Sequence, residues 1–229
     1  MLKIENVVMP SAKQWKAIIM GCRNPMNSWS RSDSDYCREY SGCEKTRECD
    51  TCPECYELGP NDLSLMKKLA NAGTDHRKFM RMITVYLDIE APRYWWAEAD
   101  TYKIGTVRNS CSTMHKIHAK TFELGDFSCE HLDNVSLDAL EYIIAHLEYD
   151  RRLYLKTKDK KYWWQMIQLL PGSYNQRATL MLNYEVLANI YNGRRNHKLD
   201  EWHTFCDWIE TLPYSELITG ENTNEKHDR

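Results

Sequence analysis

Residues 79–91 (FMRMITVYLDIEA) alternate in character, are rich in β-branched and aromatic types, and are closed by Pro92. Alternation puts successive side chains on opposite faces of a pleated backbone, so this run reads as a strand, and the rest of the chain must be compatible with a sheet. Around it the spacing turns helical. Trp15, Ile18 and Ile19 recur at helical intervals behind Ser11, which predicts a first helix over residues 11–20 with Ser11 as its cap. Leu65, Met66 and Leu69 predict a second, capped by Asn61 or Asp62 and stopped at Gly73.

Leu137, Leu140, Ile143 or Ile144, and Leu147 predict a third helix behind Ser136, followed by a charged stretch, residues 149–163, that reads as a solvated connection. Beyond the breaker Leu170-Pro171-Gly172, the residues Leu180, Asn183, Leu187 and Tyr191 fall on one helical face, and Leu199, Trp202, Phe205 and Ile209 mark a last amphipathic helix. The tail from Gly220 is polar and should fray. Strand-like and helical runs do not alternate regularly, so the expectation is an α+β fold rather than a doubly wound parallel sheet.

Composition narrows the class. With 229 residues, 42% hydrophobic and 28% charged, the chain reads as one domain over residues 1–229 that can bury a substantial core. A formal net charge of −3 gives no global basic field, so nucleic acid is not an expected partner. No stretch reaches the roughly 18 to 20 apolar residues that span a bilayer, and the first residues lack a leader pattern, so no membrane partner is expected and a cytoplasmic location is.

Between Cys22 and Leu58 the apolar periodicity disappears, and this stretch reads as an inserted Cys-rich lobe outside the core. Its thiols follow the pattern C-x5-C-x5-C-x2-C-x2-C from Cys37 to Cys55. Closely spaced thiolates suit a tetrahedral structural zinc, with Cys49 and Cys52 first, then Cys55 and Cys43; unliganded surface cysteines are the alternative.

Three segments taken in order, PNDLSLMKKLANAG, FMRMITVYLDIEAPRYWWAEADTYKIGTVRNSCSTMH and LLPGSYNQRATLMLNYEVLANIYNGRR, resemble consecutive blocks of the flavin-dependent thymidylate synthases. In that family a Trp-containing turn leads into Arg-His-Arg-x-x-Ser-x-Asn-x-x-Ser-x-Arg. Here Thr101-Tyr102-Lys103 stand at Arg-His-Arg, Thr106 at the first Ser, Asn109 at the Asn with one residue inserted, Ser112 at the second Ser, and Met114 at the final Arg. Thr101, Tyr102 and Met114 thus replace charged or imidazole side chains, and only an arginine offers phosphate a fixed fork of donors.

The resemblance implies FAD held at Tyr102, Lys103, Asn109, Ser110, Asn183 and Asn189. It implies a pyrimidine deoxynucleotide set against Arg194 and Ser112, and a homotetramer whose sites draw on several subunits. The activity it implies is one-carbon transfer to C5 of dUMP or a related nucleotide. With the family's arginines replaced, a non-catalytic module that binds or sequesters a nucleotide on the same scaffold is the alternative, and an assembly protein with a Trp- and Tyr-rich surface is a third reading.

Three further features keep two readings each. Arg93-Tyr94-Trp95-Trp96 suits either stacking on a flavin or base, or a place in the core or a subunit interface, and the latter is favoured. Lys103, Arg108, His115, Lys116 and His118 form either a phosphate-binding cluster in place of the missing arginines or a solvated loop. Asn183 on a packed face needs a partner, and a ligand or a backbone carbonyl serves equally.

Overall fold

A computed structural model describes residues 2–36 and 56–220. All four expected zinc ligands, Cys43, Cys49, Cys52 and Cys55, lie outside the described residues. The cysteines within them, Cys22, Cys111, Cys129 and Cys206, are free thiols, and no cluster of metal-ligating side chains occurs among the described residues.

The elements run β1 (Lys3–Val8), α1 (Ala12–Arg23), β2 (Asp35–Tyr36), β3 (Tyr56–Glu57), α2 (Pro60–Asn71), β4 (Thr84–Pro92), α3 (Arg93–Ala99), β5 (Val107–Ser110), α4 (Asn134–Thr157), α5 (Lys160–Leu169), β6 (Asn175–Asn183), α6 (Tyr184–Arg194), α7 (Asp200–Glu210) and α8 (Glu216–Thr219). One sheet has the order β1-β4-β6-β5, and β2 pairs with β3 antiparallel, Asp35 opposite Glu57 and Tyr36 opposite Tyr56. The fold is α+β, with helices outnumbering strands among the described residues. No helix among them is long and apolar enough to cross a membrane.

Chain contacts divide into two compact units, the first comprising residues 1–5, 88–103 and 108–180, and the second residues 6–87, 104–107 and 181–229. In the first, α4 and α5 pack together, and Ile117, Phe122, Phe127, Leu140, Ile144, Leu147, Met166 and Leu170 form one buried cluster. Leu140, Ile144 and Leu147 repeat at helical spacing on the stripe that the sequence marks, but α4 does not end where that stripe ends. It continues to Thr157, where Lys158 adopts a left-handed conformation (φ 59°). The charged stretch expected as a connection is helical because Glu148 receives Arg151 three residues on (2.7 Å) and Arg152 four residues on (3.0 Å), pairs that only helical spacing brings together.

In the second unit α6 packs on α7 and α8, and α1 packs on α2. Its fully buried side chains include Trp15, Ile18, Ile19, Met66, Tyr184, Tyr191, Trp202 and Phe205. Ser11 caps α1 as its sequence predicts, accepting from Gln14 N while the Gln14 side chain accepts from Ser11 N at 2.7 Å.

α2 begins differently from expectation. Neither Asn61 nor Asp62 caps it; Gly59 occupies that position, and the carboxylate of Asp33, far away in sequence, accepts from the amides of Asn61 (2.9 Å) and Asp62 (3.1 Å). A Cβ on Gly59 would fall 2.3 Å from that carboxylate, so only glycine lets it approach. Asp62 is instead wholly buried against Arg23 and accepts from Ser32 Oγ, Ser34 Oγ and the amides of Asp33 and Ser34. Burial alone would raise its pKa, but the hydrogen bonds from Ser34, Ser32 and Arg23 outweigh that and hold it ionised. Removing one partner of such a pair costs about 3–5 kcal/mol. Arg23 and Tyr56, at the margins of the expected lobe, are therefore core residues.

Candidate functional site

β4 and β6 alternate in burial, with Val85, Leu87, Ile89 and Ala91 on one strand and Ala178, Leu180 and Leu182 on the other turned inward. Of their other side chains in the first unit, Asp88, Glu90 and Arg177 are charged and Asn175, Gln176 and Thr179 are polar. Arg177 donates to Asp88 at 2.8 Å and lies 3.1 Å from Glu5, and Thr179 donates to the same Asp88 carboxylate. These residues lie on β6, β4 and β1, successive strands of the sheet, so Arg177 reaches from β6 across its neighbour β4 and is held by two carboxylates on that side.

Beside this face the first unit encloses a cavity of about 410 Å³. Ser112, Thr113 and Lys116 line one side; Tyr174, Gln176 and Arg177 line another. The loop carrying Ser112 is fastened at three points: Cys111 N donates to Arg177 O (2.9 Å), Gln176 Nε2 donates to Cys111 O (2.6 Å), and the Trp163 indole donates to Met114 O (2.8 Å). Ser112 Oγ accepts from His115 N at 2.9 Å, which leaves its hydroxyl proton to donate elsewhere.

The cations around the cavity are not equivalent. Arg177 is claimed by Asp88 and Glu5. Lys120 is held by Asp126, whose hydrogen bond raises the Lys120 pKa and keeps it charged. Lys116 has no carboxylate partner among the described residues. It stands two positions beyond Met114, the residue found where the motif carries its last arginine. Burial raises the pKa of Tyr174, so its phenol stays a donor. Two carboxylates also line the cavity, Asp126 paired with Lys120 and Glu90 lying 4.0 Å from Lys3. The part of the lining that suits an anion is therefore the group formed by Lys116 and the Ser112 and Thr113 hydroxyls, with Tyr174 able to bound a flat ring.

Tyr102, Lys103, Asn109, Ser110 and Ser112 all belong to the first unit, Asn109 and Ser110 on β5. Asn183, Asn189 and Arg194 belong to the second. Asn183 does not sit mid-helix, because β6 runs on to it; it is the N-cap of α6, accepting from Val186 N (3.1 Å) and donating to Gly105 O (3.5 Å). Of the two partners expected for it, the backbone is the one seen. Exposed Asn189 accepts from Arg77 Nη2 at 3.0 Å. Arg194, half-buried at the end of α6, lies with its guanidinium 4.9 Å from the ring centre of Trp202.

Trp95 and Trp96 are core residues, 1% and 2% exposed. The basic cluster separates: Arg108 pairs with Asp100 (2.9 Å) and lies over Trp96, His118 packs on Tyr154, and Lys116 lines the cavity. Tyr174, Gln176, Arg177 and Lys120 were not read as site residues from the sequence. The strand-like run after Pro171-Gly172 was their one signal, and it does not show which face meets the Ser112 loop.

No protein-family model matches the chain, and no curated protein does. Solved structures do. Thymidylate synthase X (ThyX) from Helicobacter pylori, solved with FAD and dUMP, superposes with a TM-score of 0.65 at 16% identity, covering 95% of this chain and 98% of that one. This chain has the ThyX fold. A second ThyX structure from the same organism, also with FAD and dUMP, gives 0.64 at 16% identity over 94% and 99%. A UMP/dUMP methylase, PolB from Streptomyces cacaoi, bound with 5-Br UMP, gives 0.59 at 10% identity over 96% and 94%.

Whether this version of the ThyX fold suits a flavin is tested by its polar groups. Thr101 spends its hydroxyl on Glu98 O (2.7 Å), and Arg108 is committed to Asp100 and Trp96. Thr106, where the motif has its first Ser, has a buried hydroxyl oxygen with no hydrogen-bond partner among the described residues. A buried orphan of this kind costs about 1–3 kcal/mol, and a ligand acceptor or donor would recover it. Thr106, which stands at the motif's first Ser, therefore fits a bound group.

Proposed function

We propose that this chain binds a pyrimidine nucleoside monophosphate in the Ser112 cavity and modifies its base at C5 by one-carbon transfer with a flavin, the reaction class implied by its ThyX fold. The observation that carries the reading is Lys116. It lines the same cavity as Ser112 and Tyr174 and supplies a cation where Met114 cannot. In this reading Lys116 and the Ser112 and Thr113 hydroxyls take the phosphate, while Tyr174 bounds the base. Preset donors of this kind cost little to reorganise on binding.

Tyr102, Lys103, Asn109 and Ser110 are assigned to FAD; the flavin, when bound, supplies the redox step of the transfer. Asn183 and Asn189 keep the family spacing, but their amides serve the protein's own hydrogen bonds. Arg194 is assigned to the pyrimidine on the spacing of the motif alone. Zinc at Cys43, Cys49, Cys52 and Cys55 rests on thiol spacing, and a homotetramer on the resemblance.

The replacement of arginine at Thr101 and Met114 favours a second reading, a module that binds the nucleotide without turning it over. Titration of the purified chain with FAD in the presence of dUMP, followed by flavin absorbance and fluorescence, separates the two. Saturable FAD binding with dUMP-dependent quenching supports the enzyme. Nucleotide binding with no flavin binding leaves the module, and binding of neither removes both.

A further inference from the structure

On the α4–α5 hairpin, remote in sequence from the Ser112 loop, one carboxylate is buried and unmatched. Asp150 is 7% exposed, and no hydrogen bond or ion pair to it occurs among the described residues. The two arginines that follow it, Arg151 and Arg152, are both drawn to Glu148 instead. Burial raises the Asp150 pKa, and His146, one turn earlier, opposes this. The side chain is largely covered while its oxygens still open to an adjoining cavity, where only solvent meets the charge; a cation there would pair with it.

Such a cation has room. Asp150 lines a shallow cavity of about 480 Å³, open to solvent, together with His146, Gln165, Gln168 and the exposed Tyr149 and Leu169. From α5 this lining offers two amides and an aliphatic side chain but no cation. The amide oxygens of Gln165 and Gln168 can accept, Tyr149 offers an aromatic face, and Leu169 offers an apolar wall. Acceptors around one carboxylate, backed by ring and aliphatic surface, match a planar or tetrahedral organic cation on a short apolar stem.

We infer that the Asp150 cavity is a binding site for a small organic cation, an alkylguanidinium or alkylammonium, separate from the Ser112 cavity. A divalent metal is the poorer occupant, since His146 and Asp150 would be its only strong ligands in the lining.

Equilibrium dialysis of the full chain against n-butylguanidinium, with neutral n-butylurea as the shape-matched control, tests it. The wild type should bind one butylguanidinium per chain and butylurea at least about tenfold more weakly. Asp150→Asn should weaken the guanidinium by about tenfold or more while melting no lower than the wild type, because it removes an uncompensated charge. Gln168→Lys, which sets an ammonium in the same cavity, should block the probe. Equal binding of butylurea, undiminished binding by either variant, a lowered melting temperature in Asp150→Asn, or no saturable binding at millimolar probe would overturn the assignment. Sedimentation velocity should show the same mass with and without butylguanidinium. A fall in mass would mean that the carboxylate holds a cation of a neighbouring copy, and would overturn the free-ligand assignment.

Discussion

The indole N–H of Trp163, on α5, donates to the carbonyl oxygen of Met114 at 2.8 Å. The loop that carries Ser112 and Lys116 is thus tied to the helical hairpin by one side chain. Trp163→Phe keeps most of the packing and deletes this bond. We expect a stability loss of about 1 kcal/mol, with amide exchange accelerated in residues 112–116. Exchange unchanged in that loop would show that the bond does not hold it.

Gly105 has φ +82°, and a Cβ there would lie 3.1 Å from Val186 Cγ2 and 3.2 Å from Asn183 Nδ2. Its carbonyl accepts from Asn183, the residue that caps α6. Gly105→Ala adds left-handed strain to this crowding and should cost about 1–3 kcal/mol. Gly73→Ala has a comparable φ (+102°) but open space around it. Chemical denaturation should therefore find Gly105→Ala the more destabilised of the two; equal losses would assign the whole effect to backbone strain.

The bond between Gly105 and Asn183, 78 residues apart, marks how far local sequence patterns reach. The Phe79–Ala91 alternation, the Ser11 cap and the Leu140, Ile144, Leu147 stripe depend on neighbours within a few residues, and each has a counterpart in the fold. The strand itself starts later than the alternation, at Thr84, because residues 78–82 form a 3-10 turn. Asn183 matched the helical period of Leu187 and Tyr191, yet it ends a strand, since Ala178, Leu180 and Leu182 also satisfy a period of two. Asp33 capping α2, and Arg177 paired with both Glu5 and Asp88, join residues far apart in sequence, which no local pattern encodes. In the candidate site Ser112 was named through the motif and Lys116 through the local basic cluster, whose other members do not line the cavity. That Lys116, rather than Arg108, lines the cavity depends on Asp100 and Trp96 claiming Arg108.

Glu148 accepts from Arg151 and Arg152, and the Arg151 hydrogen bond is the main reason its pKa falls from the ordinary 4.5 to about 2. A carboxyl with a depressed folded pKa lends stability that is fully present above the unfolded value and is lost as pH falls through the folded one. Its contribution should therefore disappear between pH 4.5 and about 2. Glu148→Gln should be less stable than wild type at neutral pH and approach it near pH 2. A stability gap that does not narrow over that window would contradict the ion-paired assignment.

Calorimetric titration of dUMP and of deoxyuridine into the wild type and Lys116→Gln tests the central claim most directly, because the two ligands differ only in the phosphate. If the Ser112 cavity holds the nucleotide through Lys116, dUMP should bind the wild type saturably. The variant should then bind dUMP roughly ten- to a hundredfold more weakly, as expected for one charged hydrogen bond, with deoxyuridine binding unchanged. Failure of the wild type to bind dUMP, or equal dUMP affinity in both proteins, would contradict the claim.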